Sequence, residues 1–492
     1  MTTAQDPRIR DVLRFAYAQG PGKGQVTAPV RIDPDAPHTS GLLPPGADPN
    51  STVPLPRGAH ELLTELPFPD GRFTDGEGAG DGDQLGWALS SAFGLVRQEP
   101  SNPYNDHRAH PSVRSKFPVH AFVTSPGGRH HYLDPYRCGL VGLPDGDPTD
   151  RAHRVVLAGR FTHLPSYYRL LRGPLTELEL GINLRTLAMT LQLFGLQAGS
   201  ALRLPGLDGE RVLTSLGLAP AHEWSLPIVV ELPRSQPTPD SGPVRPQDDT
   251  LVGVDDSDLG EVVRVNRHQR GDSAPEPLTA AIPGHARRGV DWSQVLWRRT
   301  AGRMPRALSG MNGRRRRVPA AAFLDAAAWG ALPPPGPTLR AAARHVRVTA
   351  VVQDVTGHAD GTYRIGPAGP EPVPSGQADA ARLEAVYGYP LTTGNGCDVR
   401  HATAVWFLSA DLRALVAEFG PRGWHLAQYV CGWIVQGLCV AAAAHDLYAR
   451  PTRAFDELPT QRLLGLPDEE TLLFSVVSGT GRFTEPLLDL RL

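Results

Sequence analysis

Arg298, Arg299, Thr300 and Arg303 fall within about one and a half helical turns of each other. Guanidinium groups are permanently charged, fork-shaped donors, so such a set suits a phosphate dianion. Backbone amides at a helix start would add partial positive charge. A solvated helix face uses the same residues, and spacing alone leaves both readings open. Proton-exchanging candidates are Glu418, before Phe419-Gly420-Pro421-Arg422, and Tyr167-Tyr168-Arg169 far upstream. A positioned carboxylate or phenol can act in acid–base chemistry, but a neutral phenol is a poor base unless a cation assists it. The run Arg314–Arg317 reads as a solvated loop or as a contact for an acidic peptide or partner. Cys138, Cys397, Cys431 and Cys439 form no CxxC pair, and His130-His131 and the other histidines show no HExxH or HxH pattern, so no metal site is expected. The cysteines read as buried thiols in a reduced compartment. GxSxG, P-loop and dinucleotide fingerprints are missing, and the GKG at 22–24 lacks the rest of a phosphate loop.

These groups must be held by elements of a 492-residue chain, a length for two to four domains. Hydrophobic residues at 40% and charged residues at 20% allow sizeable cores, and 52 Gly with 49 Pro point to long loops. A formal charge of -2 gives no global nucleic-acid footprint. The first residues, MTTAQDPRIR, lack an apolar signal core, and no stretch reads as the roughly 20 apolar residues of a membrane span, so a cytoplasmic protein is expected.

From Pro233 to about Gly289 the chain is rich in Pro, Asp, Ser, Arg and Gly and poor in aromatics, which predicts a linker or mobile loop. Residues 32–58 read as an irregular loop. The two sides of the linker carry a weak internal repeat. Residues 178–198 and 429–449 are each apolar nearly all round, as a helix buried on every side would be, and Gly181, Leu187 and Leu196 match Gly432, Leu438 and Leu447. An LGL follows in each, at 216–218 and 464–466, then a β-rich run at 226–232 and 472–479. Upstream lie strand-and-turn patterns at 119–135 and 346–367. The expectation is an α+β fold present twice, as domains 1–232 and 290–492.

These segments resemble the nitroreductase-like flavoproteins, in particular the SagB-type azoline dehydrogenases that act on ribosomally made, thiopeptide-like peptides. SQVLWRRTAGR (293–303) is similar to the family's opening helix with its RRS-x-R signature. AAAFLDAAAWGAL (320–332) is similar to the helix that follows it, and GTYRIGP to a family strand. RAHPSVRSKFP (108–118) is similar to its R-P-S-P-S-G-G segment, and SYYRLLRGPLTELELG to its YR…LE-x-G helix. The resemblance implies a central mixed sheet flanked by helices, FMN at a dimer interface, and here a tandem chain forming a pseudo-dimer, with a further homodimer open.

By the same resemblance Arg298, Arg299, Thr300 and Arg303 would meet the FMN phosphate, joined by Arg482. Ser112 would face the flavin, and Tyr448 and Arg450 would line its ring. The family's Lys-Tyr pair is replaced by Glu418-Phe419, which leaves Glu418 and, from the other half, Tyr168 as the catalytic candidates. Val113 and Arg114 stand where the family has glycines. The implied function is FMN-dependent oxidation of thiazolines or oxazolines to azoles in a precursor peptide, with cyclodehydratase proteins as partners. Two alternatives remain: a non-catalytic scaffold that binds peptide or cyclodehydratase, and a generic NAD(P)H-dependent flavin reductase.

Overall fold

The structure, a computed structural model, describes residues 6–18, 43–73, 81–102, 105–218, 223–233, 256–271, 273–284, 289–304, 312–387, 399–483 and 487–491. Cys397 and the GKG at 22–24 lie outside them.

In the first half β1 (Val119–Ser125), β2 (Arg129–Asp134), β3 (Gly139–Gly142) and β4 (Arg154–Gly159) lead into α1 (Arg172–Leu193), followed by β5 (Ala201–Arg203) and β6 (Ile228–Glu231). Next come α2 (Ser257–Asn266), β7 (Glu276–Pro277), α3 (Trp292–Arg298) and β8 (Gly313–Arg314). The second half contains β9 (Val346–Val352), β10 (Gly361–Gly366), β11 (Gly369–Pro372), β12 (Ala404–Asp411), α4 (Leu412–Phe419), α5 (Gly423–Ala444), β13 (Tyr448–Thr452) and β14 (Glu470–Gly481).

The first sheet contains the order β3-β2-β1-β4-β6-β5-β7 and the second β8-β14-β12-β9-β10-β11, with β13 also on β14. The series β3-β2-β1-β4-β6 and β11-β10-β9-β12-β14 thus have the same order and connectivity. The paired strands run antiparallel, which corrects the expected mixed sheet. Hairpin steps such as β1–β2–β3 need only short turns, and short turns join antiparallel neighbours.

α1 and α5 are each 22 residues long and pack against one another at the centre. Both are buried on nearly every side, as their all-round apolar sequences require. Each is preceded at the same distance by an unusual backbone, Arg169 (φ 50, ψ -129) and Gly420 (φ 63, ψ -149), which turns the chain sharply into the helix. The stretch Leu412–Ala444 is long and apolar enough to cross a membrane by length and composition, contrary to the sequence expectation, but its apolar window is wholly buried here.

Two loop assignments are corrected. Asp48–Pro54 is an exposed strand on the edge of β3. Within 233–289, α2 buries Leu259, Val262, Val263 and Val265 against the first half, and β7 extends the first sheet through β5. Local composition hid this, because a few valines at helical spacing suffice once a groove exists to receive them. The chain's far end also returns to the first half, where Leu488–Asp489 pairs with Arg97–Gln98, itself paired with Asp106–His107.

Candidate functional site

The arginine motif lies at the boundary of the two halves. Asp291 caps α3 by accepting from Gln294 N, and Arg298 ends the helix. The motif therefore stands at a helix carboxyl end, not at a start, and the expected amide donors are replaced by carbonyls that oppose an anion. Side chains must carry any anion binding there. Arg298 points outward to Gln294 Oε1 (3.0 Å) and the exposed Asp446 (3.0 Å).

Arg299 points inward and is 5% exposed. Its Nε donates to Arg108 O of the first half (3.0 Å), and Nη2 lies 3.4 Å from His107 Nδ1. Among the described residues it meets no carboxylate in ion-pair contact. Burial, with Arg97 nearby, pulls its guanidinium down to about 10. A buried cation without a counter-anion is costly, so this group suits an anionic ligand.

A neighbouring network fixes Arg299 from behind. Arg97 donates to Glu99 Oε1 (2.9 Å), to Arg299 O (3.2 Å) and to Trp297 O. Asn102 donates to Glu99 Oε2 (2.8 Å), and His107 Nε2 lies 3.1 Å from Glu99 Oε1. Burial pulls His107 down to about 4, so the ring is neutral at pH 7. Burial raises Glu99, but its contact with His107 and the charge of Arg97 outweigh that and hold the carboxyl well below the carboxylate range. None of Arg97, Glu99 and His107 was picked out by sequence reasoning. Their only signal was the spacing of Arg97 and Glu99 two residues apart, which in an extended segment puts both on one side.

The second half closes around the motif. Thr300 O accepts from Ala449 N (2.9 Å), and Gly302 lies against the Tyr448 ring with no room for a Cβ. Tyr448, expected to line the flavin ring, is a buried side chain, 2% exposed, packed with Val477 and Phe407. Arg450, half-buried on the same strand and two residues from Tyr448, pairs with Val477 through the backbone. Arg303, half-buried, follows the Gly302 turn. Gly302 O accepts from Asn312 N (2.7 Å), and Asn312 Oδ1 accepts from Arg482 N (2.6 Å). The Arg482 side chain reaches Gly313 O and His401 Nδ1 (3.3 Å) on the exposed edge.

From the first half comes the Ser112 turn. Gln436 of α5 donates to Ala109 O (3.1 Å). Ser112 Oγ donates to Glu179 Oε1 (3.0 Å) and accepts from Phe117 N (2.8 Å), so this hydroxyl staples the turn. Val113 N also donates to Glu179 Oε1 (2.8 Å). Glu179 is fully buried on α1, and burial pushes its carboxyl up to about 8. Arg114 (φ 49) and Ser115 (φ 52) hold the left-handed backbone that glycine favours, despite their side chains. Arg114 Nη1 donates to Tyr167 OH (2.9 Å), and its guanidinium lies over the Tyr167 and Tyr168 rings. Arg114 thus brings a cation to this tyrosine pair, whereas Arg169 turns away to Asp258 (3.0 Å).

Contacts and chain neighbours therefore connect Tyr168, Arg114, Ser112, Arg299, Thr300, Tyr448 and Arg482. Glu418 belongs elsewhere. It is 38% exposed at the side chain and pairs with His345 (2.7 Å) and Arg344 (3.1 Å) of its own half. The four arginines 314–317 are exposed, with Arg315 paired to Asp354. Among the described residues no cluster could hold a metal ion. Cys431 and Cys439 are buried, and burial pushes the Cys439 thiol up to about 12.

Neither a protein-family model nor a curated protein matches this sequence. Solved structures do match. A nitroreductase-family protein of Anabaena variabilis superposes with a TM-score of 0.64 at 16% identity, covering 96% of this chain and 99% of that one. The Escherichia coli microcin synthetase McbBCD complex with truncated pro-MccB17 bound gives 0.30 at 15%, covering 37% and 70%. A nitroreductase-family protein of Ralstonia eutropha gives 0.27 at 17%, covering 40% and 97%. At 96% coverage the first superposition takes in both sheets and both long helices. The chain has the nitroreductase fold over 96% of its length, as an α+β arrangement of helices and antiparallel sheets.

Proposed function

We propose that this protein is a flavin oxidoreductase that holds FMN between its halves and oxidises azolines in a ribosomally made peptide to azoles. The observation that carries this reading is Arg299, a buried guanidinium without a carboxylate partner among the described residues, tied to the opposite half of a nitroreductase fold. A phosphate dianion supplies the missing counter-charge, and FMN fits better than FAD because the sequence has no dinucleotide fingerprint. The repeated strand order and equal central helices support a tandem duplication whose halves form a pseudo-dimer.

When bound, FMN supplies hydride acceptance, and molecular oxygen takes the electrons onward. The protein's own residues bind and orient. Arg299 and Thr300 hold the phosphate end, with Arg298 and Arg482 contributing from the exposed rim. An azoline ring loses a proton as well as a hydride on becoming an azole. Tyr168, with Tyr167 and Arg114 against it, is our candidate to handle that proton, a choice supported by the nearby cation and by the exposed pairing of Glu418 with His345 and Arg344. An azoline-containing precursor peptide is the proposed substrate, and cyclodehydratase proteins that make the azolines are the proposed partners.

The test is direct. The purified chain should be yellow with releasable FMN, and an azoline peptide should bleach it without oxygen. Bleaching by NAD(P)H alone would point to a flavin reductase. A colourless protein that still captures the peptide would favour a scaffold, a reading supported by the replacement of Lys-Tyr with Glu418-Phe419 and by the surface pairing of Glu418.

A further inference from the structure

A two-fold arrangement of halves should present two equivalent flavin sites, but the second place is differently built. At the site described above, the segment from Arg299 to Gly302 bridges two turns: the turn after α5, through Ala449 N to Thr300 O, and the Pro111-Ser112 region, through Arg299 to Arg108 O. The equivalent places are the turn after α1 and the start of the helix Pro337–Ala343 of the second half. Glu276–Ile282 bridges these two.

Leu278 N donates to Ser200 O (3.0 Å), and the Gln197 amide donates to Leu278 O. Ala281 N donates to Gln192 Oε1 (2.9 Å). At the other end Thr338 N donates to Glu276 Oε2 (3.2 Å) and Thr338 Oγ1 to Glu276 Oε1. Glu276 lies so close to Gly336 that a Cβ there would overlap its carboxylate. Leu278, Ala281 and Ile282 are buried.

The sequence carries the same substitution of roles. Pro277-Leu278-Thr279-Ala280 parallels Arg298-Arg299-Thr300-Ala301, keeping Thr-Ala and losing both arginines. Arg185, a fully buried cation on this side of α1, lies over the Trp329 and Trp433 rings and donates to Trp433 O (2.8 Å) and to Ala281 O (3.4 Å) of this same segment. A phosphate here would meet the Glu276 carboxylate, and Leu278 stands where the other site has the Arg299 guanidinium.

We infer that the chain holds a single phosphate-bearing flavin, at the Arg299 site, and that its own segment Glu276–Ile282 permanently fills the equivalent second place. This rests on the FMN reading above. Two measurements on the full chain test it. Native mass spectrometry at saturating FMN should show one FMN per chain, falling to none in Arg299→Ala. Two FMN per chain, or one retained in a folded Arg299→Ala variant, overturns the inference while leaving FMN binding intact. Hydrogen exchange read by mass spectrometry should find the Leu278 and Ala281 amides slow in the flavin-free chain and unchanged by FMN, while peptides carrying Thr300 and Ala449 slow further. Fast exchange at Leu278 and Ala281 without flavin overturns the inference whether or not Arg299→Ala folds. No FMN at all, with Leu278 and Ala281 still protected, defeats the proposed function and with it the count of one.

Discussion

Gly181 and Gly432 press against each other's helices in a reciprocal way. A Cβ on Gly181 would overlap the Tyr429 carbonyl, and a Cβ on Gly432 would overlap the Leu178 carbonyl. Leu178 precedes Gly181 by the same three residues that separate Tyr429 from Gly432. Residue i of one helix meets residue j of the other and the reverse also holds, which is the signature of a two-fold interface. The close approach also sets the distance between the halves, and so the position of Arg299 against Arg108.

Gly181→Ala and Gly432→Ala should each destabilise the chain by about 1–3 kcal/mol, because a packed backbone must shift to admit the methyl. Urea unfolding measures this. The two losses should be similar, and wild-type stability in either variant would show that the helices separate freely.

Arg299→Ala should release FMN and Arg298→Ala should release much less, since only Arg299 is buried and turned inward. A charge-assisted contact contributes about 1.5–3 kcal/mol, or roughly tenfold or more in affinity. Fluorescence titration of the stripped proteins gives both constants, and a larger effect at Arg298 would reverse the assignment.

Glu179 predicts a pH dependence of stability. Its folded carboxyl is raised to about 8 by burial. Between the ordinary carboxylate range and pH 8 the unfolded chain has lost this proton and the folded chain keeps it. Stability therefore falls as pH rises through that window, by at most about 1.4 kcal/mol per pH unit. Glu179→Gln keeps an acceptor for Ser112 and Val113 but cannot titrate, so its stability curve should be flatter from pH 5 to about 8. Parallel curves for the two proteins would show that Glu179 is ionised when folded.

Tyr168→Phe should slow azole formation, and Glu418→Gln should leave it nearly unchanged. The first removes the hydroxyl proposed to handle the proton, and general acid–base assistance contributes about 10²–10⁴-fold where it operates. The second alters an exposed pair with His345 and Arg344, and such pairs contribute roughly 0–1 kcal/mol to stability. Azoles are counted by the loss of two hydrogens per ring in the peptide mass. Equal slowing by both substitutions would place Glu418 back in the chemistry.

The residues at Gly181 and Gly432 show how far the sequence reaches. All-round apolar runs announced two buried helices, because burial on every side leaves no polar face, and their matched glycines announced the close contact between them. The arginine pair was visible in the sequence, but its spacing left a solvated helix face and an anion site both open. Tertiary structure decided the rest. Arg298 and Arg299 are neighbours in sequence, yet only packing against Arg108 distinguishes the buried one from the exposed one. Ser112 gives its hydroxyl to Glu179, Tyr448 turns into the core, and a loop-like segment at 276–282 fills a place that symmetry would have left to a ligand. Periodicity records which face of an element avoids water. Which distant carbonyl, carboxylate or ring meets a given side chain depends on how whole elements are placed, and no local pattern encodes that.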